Sequence, residues 1–397
     1  MRLSLIAALA LTATPAWAEP DPADWPAVLS EAEGQTVYWH AWGGSTTTND
    51  FIAWIGERAA EQNVTLEHVK LADTGDAVGL VLTEKQAGKL TGGAVDLIWI
   101  NGANFASMKE QDLLFGPFAE ALPNWSLVDV DGKTVTTDFT VPTEGYESPW
   151  AMAQVVFIHD SERLPDPPRT AEALLEFATA NPGRFTFPQP PDFLGTTFLK
   201  QMLIDLVPDP EILQDPVGED YAGVTAPLWS FLDALTPVLW RQGRAYPQTG
   251  PRQLQLMNDG EVDLAISFSP GEATAAIANY ELPSTARTYV LDGGTLGNAS
   301  FVAIPFNANA KAGAMVVADI LLSPAAQLRA QMPDVLGYGT VLDMERLDPA
   351  DRAAFDALDL GVATLSPEEL GPALPEPHPS WAERLAADWV ARYGVAN

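Results

Sequence analysis

The stretch Val95-Asp96-Leu97-Ile98-Trp99-Ile100-Asn101-Gly102 decides the fold. From Val95 to Ile100 it is almost continuously apolar, as in a parallel strand covered on both faces by helices, where the usual alternation with polar residues is lost. Asn101-Gly102 ends it in a turn. Upstream, Thr36-Val37-Tyr38-Trp39-His40-Ala41-Trp42 is rich in β-branched and aromatic residues and runs into Gly43-Gly44-Ser45, which predicts a strand and a tight loop. Between the two, Asn49 or Asp50 can cap a helix on which Phe51, Trp54, Ile55 and Ala59 keep helical spacing. Residues 64–69 predict a second strand and 77–89 a second helix. Strands alternating with helices imply α/β layers with parallel pairing.

Working outward, Gly93-Ala94-Val95-Asp96-Leu97 has an echo in Gly260-Glu261-Val262-Asp263-Leu264. Each copy follows a helical pattern and leads into a short apolar strand ending in a Gly-containing loop. Helix, Gly cap and strand is a common step, but its return far along the chain fits two α/β lobes of similar build. Residues 150–158 predict one long strand crossing between lobes, reached through the turn-rich segment 142–149. A helix begins near Thr170 and stops at Asn181-Pro182-Gly183, residues 184–187 are strand-like, and Leu194-Gly195-Thr196-Thr197 opens another helix. Residues 298–306 predict a strand, 310–322 a helix, and Trp381, Leu385 and Trp389 the apolar face of a terminal helix. The lobes are expected as 19–147 with 270–300, and 148–269 with 301–397.

The chain has 397 residues, 53 Asp and Glu against 21 Lys and Arg, a net charge of −32 and no cysteine. That length accommodates two cores. The acidic balance disfavours a nucleic-acid groove or an anionic membrane surface. Without cysteine there is no disulfide scaffold, thiolate metal site, thiol nucleophile or lipid-anchored N-terminal Cys. Arg2, the apolar run 5–14 and Ala16-Trp17-Ala18 have the order of a secretory signal, residues 1–18, cleaved after Ala18. An exported, cysteine-free, unanchored chain points to a bacterial periplasm.

With those features in view, the chain resembles the bacterial periplasmic solute-binding proteins of ABC importers, of the type II two-lobed kind related to maltose, thiamine and ferric-iron binders, and is most similar to the YnjB-like branch. The resemblance rests on residues 37–45, on Val95 to Phe105, on Leu114-Phe115-Gly116-Pro117-Phe118-Ala119, on Leu122-Pro123-Asn124-Trp125 and on Ser148-Pro149-Trp150. It implies an α/β fold of two lobes, each a sheet flanked by helices, joined by crossover hinge strands. It also implies a small-molecule solute captured between the lobes, a membrane permease as partner, no cofactor, a monomer and no enzymatic activity.

Open α/β sheets bind ligands beyond the carboxyl ends of their strands, and interdomain clefts are the usual small-molecule sites. The candidate ligand-binding residues are therefore Trp42, Gly43, Gly44 and Ser45 after the first strand, and Asn101, Gly102 and Phe105 after the third. Tyr146, Glu147 and Trp150 lie at the crossover, Thr196 and Thr197 at a helix start, and Ser267, Phe268, Ser269 and Glu272 at the second crossing. Each has a structural alternative. Trp42 suits packing as well as stacking, Thr196 and Thr197 suit a helix cap, Phe268 suits strand core, and Glu147 and Glu272 are two among many carboxylates. Aromatic faces with carboxylates favour a flat cation, since a desolvated cation on an aromatic face gains about 2 kcal/mol. Thiamine, quaternary amines and polyamines fit, and sugars remain an alternative. The four histidines are isolated, no adjacent tyrosine pair is present for ferric iron, and no G-x-S-x-G, P-loop or G-x-G-x-x-G occurs. Thiaminase-type enzymes share the two-lobed fold but need a cysteine, while an Asp/Glu glycosidase stays compatible with so acidic a chain.

Overall fold

A computed structural model describes residues 19–394; the expected signal segment, residues 1–18, lies outside them. Ten strands are present among the described residues: β1 Thr36–Trp42, β2 Thr65–Leu71, β3 Leu97–Ile100, β4 Thr137–Asp138, β5 Val141–Pro142, β6 Glu147–Gln154, β7 Val156–Asp160, β8 Leu264–Ser267, β9 Ala286–Tyr289 and β10 Gly297–Ala303. They form a five-stranded sheet in the order β2-β1-β3-β10-β6, a three-stranded sheet β8-β7-β9 and the small pair β4-β5. No described helix is long and apolar enough to cross a membrane.

In the first sheet β1 pairs parallel with β2 and β3, as the apolar run in β3 predicts. Parallel pairing does not extend further. β10 inserts antiparallel between β3 and β6, and β7 is antiparallel to both its neighbours in the second sheet. The expected single strand 150–158 is two strands broken at Val155. Their contiguous chain carries the polypeptide from one sheet to the other: Trp150 and Ala151 lie in the first core, Ala153 and Val155 in the second.

The first core collects residues from 28–151 and 299–355, and the second collects 153–296 together with Trp381, Leu385 and Trp389. A satellite cluster around Ile158, Leu256, Val262 and Ala265 takes the alternate side chains of the second sheet. The return segments thus lie opposite to the sequence expectation. Residues 273–291 line the second lobe and 301–355 the first, while the terminal helix Pro379–Tyr393 docks on the second. The cause is β10, whose pairing partners are remote in sequence and leave no local signal.

Local capping explains most helix starts. The Ser45 side chain caps the helix Thr46–Glu61, so this helix begins ahead of the expected Asn49 or Asp50. Asp73, Thr170 and Asp192 cap Thr74–Gln86, Ala171–Ala180 and Phe193–Leu206. The echoed aspartates both tie distant segments together, by different partners. Asp96 accepts from Tyr38 N at 3.0 Å and from Asn309 and Ala310 N at 2.8 Å, tying β1 to the helix Lys311–Leu321. Asp263 receives Arg184 Nε at 2.7 Å. Residues 184–187 form no strand; Phe185 and Phe187 fill the second core.

Candidate functional site

The parallel register of β1 and β3 puts Trp42 and Asn101 at the same carboxyl end of two adjacent inner strands of the first sheet. Asn101 Nδ2 donates to Ala299 O at 2.6 Å, and the Asn101 side chain also hydrogen-bonds Asp138. Gly102 N donates to Asp138 Oδ2 at 2.5 Å. Gly102 has φ +57°, and a Cβ there would meet the Phe139 ring at 2.7 Å, so only glycine lets the ring lie on this turn. Asp138 closes the strand β4, and Phe139 beside it turns toward the other lobe.

From that lobe comes the helix Phe193–Leu206. Lys200 on this helix is buried, 2% exposed, with its Nζ 4.8 Å from the centre of the Phe139 ring and 5.9 Å from that of Phe193. Phe193 in turn packs on Phe268, ring centres 5.2 Å apart. The Lys200 ammonium bonds Glu376 Oε2 at 2.5 Å, and Asn298 Nδ2 reaches Glu376 Oε1 at 3.3 Å. The junction between the lobes is therefore a buried set of Asp138, Lys200 and Glu376 rimmed by phenylalanine rings, with Glu147 beside Asp138.

Its electrostatics follow from burial. Glu147 is fully buried, and neither carboxylate oxygen has a hydrogen-bond partner among the described residues; Asp138 Oδ1 and Thr197 Oγ1 also lack one. Desolvation pushes the Asp138 carboxyl up to about 8 against the pull of its Gly102 and Asn101 bonds. Glu147 is raised well above the ordinary carboxylate range, first by burial and then by the charge of Asp138, with Lys109 opposing. Lys109 is already paired with Glu144 at 2.8 Å.

The structure sorts the sequence candidates. Asn101, Gly102 and Phe268 lie at the junction, and Thr197 is a buried residue on the helix that carries Lys200. Phe105 and Trp150 are core residues instead: Trp150 is 1% exposed, stacked on Phe51 and edge-on to Trp99. Ser45 is a helix cap, Trp42 lies half-buried against Gly44, Gly43 abuts Lys70, and Tyr146 packs on Gly116. Thr196 and Thr197 sit within the helix rather than capping it, because Asp192 accepts from Leu194 N and Gly195 N and occupies the end where an anion would bind. Ser267 bonds Glu272 and accepts from Ser269 N, and Ser269 Oγ donates to Leu336 O at 2.6 Å. These residues form a turn that ties the second lobe to the first. There the Gly271 and Gly337 backbones touch; a Cβ on Gly271 would meet Gly337 Cα at 2.5 Å.

Asp138, Phe139, Phe193, Lys200 and Glu376 escaped the sequence reading. The one local signal was the aromatic Phe193 beside a capping Asp192; the charged residues carried none.

Over residues 53–353 the chain matches the family described as bacterial extracellular solute-binding protein. It is 46% identical over 374 residues to Protein YnjB of Escherichia coli (strain K12), 94% of either chain. Two solved structures share the fold. The periplasmic binding protein AfuA from Actinobacillus pleuropneumoniae, with fructose-6-phosphate bound, has a TM-score of 0.62 at 13% identity over 91% of this chain and 99% of that one. The spermidine/putrescine ABC transporter substrate-binding protein PotD from Streptococcus pneumoniae has a TM-score of 0.58 at 14% identity over 90% and 98%. A family match over most of the chain, joined to 46% identity with a relative along nearly its whole length, settles the family: this chain belongs to the bacterial extracellular solute-binding proteins.

Proposed function

We propose that this protein is the periplasmic solute-capturing component of an ABC importer, closing its lobes on a small cationic solute and presenting the closed form to a membrane permease. The observation that carries the cationic reading is the excess of carboxylate at the lobe junction, where Asp138, Glu147 and Glu376 are buried with Lys200. These carboxyls, once ionised, would serve as counterions to a solute cation, and Phe139, Phe193 and Phe268 offer faces on which a flat cation stacks. Thiamine has that shape and charge and is the first candidate. A polyamine is the second reading, favoured by several carboxylates at one junction, and a sugar is the neutral alternative.

The protein acts as a monomer without a cofactor and performs no chemistry on its cargo; residues 1–18 are removed on export. Of the sequence candidates, Asn101, Gly102, Glu147, Thr197 and Phe268 stay in the proposed site. A thermal-shift and tryptophan-fluorescence series with thiamine, its phosphates, choline, spermidine and maltose tests the reading. A cation should raise the melting temperature by mass action and change the fluorescence. Stabilisation by maltose alone would replace the cationic reading with the sugar one.

A further inference from the structure

Three carboxylates, Asp138, Glu147 and Glu376, meet one buried ammonium, Lys200, which already bonds Glu376. The other charges facing the group are Lys109 and its partner Glu144, and that pair is satisfied. Asp138 receives donors on one oxygen while its Oδ1 has no partner, and Glu147 has no partner on either oxygen; both residues are 0% exposed. Desolvation and mutual repulsion oppose charge on two neighbouring buried carboxyls that have no counterion, so in the empty protein they hold protons.

Resting on the cationic reading above, we propose that capture is an exchange: a solute cation enters against Asp138 and Glu147, and the pair releases to the surrounding water one proton for each positive charge it takes up, two at most. In each exchange the carboxyl O–H bond breaks heterolytically, the electron pair stays on oxygen to face the solute's positive charge, and the proton passes to buffer. Nothing is oxidised or reduced. Loading a monocation therefore leaves the net charge at the junction unchanged. The fully buried Thr197 hydroxyl, also without a partner, provides a neutral hydrogen-bonding group from the second lobe. Desolvation holding Asp138 up to about 8 places this exchange at neutral pH.

Two measurements on the full protein test the proposal. Infrared spectroscopy of the empty protein at neutral pH should show a protonated-carboxyl C=O band that weakens in Glu147→Gln and in Asp138→Asn. Calorimetric titration with thiamine, and separately with spermidine, in buffers of unequal ionisation heat should show about one proton released per bound thiamine and about two per bound spermidine. Affinity should also fall about tenfold for each pH unit lowered from 8 toward 6, per proton displaced. Both variants keep the shape of the side chain, and the wild-type pH series needs no variant at all. A cation that binds with no buffer dependence, or an empty protein without the carboxyl band, overturns the exchange alone. Binding of maltose with neither cation bound overturns the cationic reading and the exchange together.

Discussion

Asp138, with its carboxyl pushed up to about 8, binds a proton in the folded chain that it would release above about pH 4 when unfolded. Between those values the folded state holds more protons than the unfolded one, so the stability of the empty protein falls as pH rises through that window. Glu147 shifts in the same direction and adds to the slope. A melting temperature that declines from about pH 5 to 8 in the wild type, and declines less in Asp138→Asn or Glu147→Gln, is the expected outcome. Lys200→Met should cost about 3–5 kcal/mol in a denaturant titration, because it leaves Glu376 buried and unpaired, whereas pairing it with Glu376→Gln should recover part of that loss. Of these charges only Glu147 was singled out in the sequence, by its place at the crossover. Asp138, Lys200 and Glu376 carry no motif, and in a chain with 53 acidic residues only three-dimensional burial separates them from solvated charge. Trp150 misled for the opposite reason, since an aromatic at a crossover suits a binding platform and an inter-element core equally. Trp150→Ala is therefore expected to lower stability by about 3–5 kcal/mol by cavity formation, seen as a lower unfolding midpoint.

The strands β1 and β3 were readable because their signals are local: composition, length and a Gly-containing turn lie within a few residues. Capped helices were nearly as readable, with Thr170 found and Ser45 missed by a few positions because Thr46-Thr47-Thr48 obscured the start. β10 was found as a strand, yet the expected lobe boundary at residue 300 cut through it, since its register with Ile98 to Ile100 and with Glu147 to Gln154 depends on chain segments far away. The terminal helix Pro379–Tyr393 announced its apolar face through Trp381, Leu385 and Trp389, and all three are buried in the second core. What the pattern did not disclose is that the helix anchors the preceding segment, where Glu376 bonds Lys200 and His378 N donates to Leu213 O. Trp389→Ala should cost about 3–5 kcal/mol. It should also raise hydrogen exchange in residues 371–378 ahead of the rest of the second lobe, by mass spectrometry.

At the scale of the whole molecule, two cores meet through the contiguous strands β6 and β7, through β10 and its approach, and through the turn at Gly271. The backbone contact of Gly271 with Gly337 leaves no room for a side chain. Gly271→Ala should push the lobes apart, and small-angle scattering should report a larger radius of gyration than in the wild type, with the melting temperature of each core changed less than the overall dimension. The two-lobed architecture was legible from the echo of Gly93 to Leu97, whereas the junction was not, because it exists only where the lobes meet. Its members, Asn101, Asp138, Lys200, Asn298 and Glu376, are scattered along the chain, and the last of them comes near its C-terminal end. A ribosome must therefore have finished all but the final helix before the carboxylate that holds Lys200 exists. A chain still lacking residue 376 would bury Lys200 without its counterion, so the junction can close only once nearly the whole chain is available to fold.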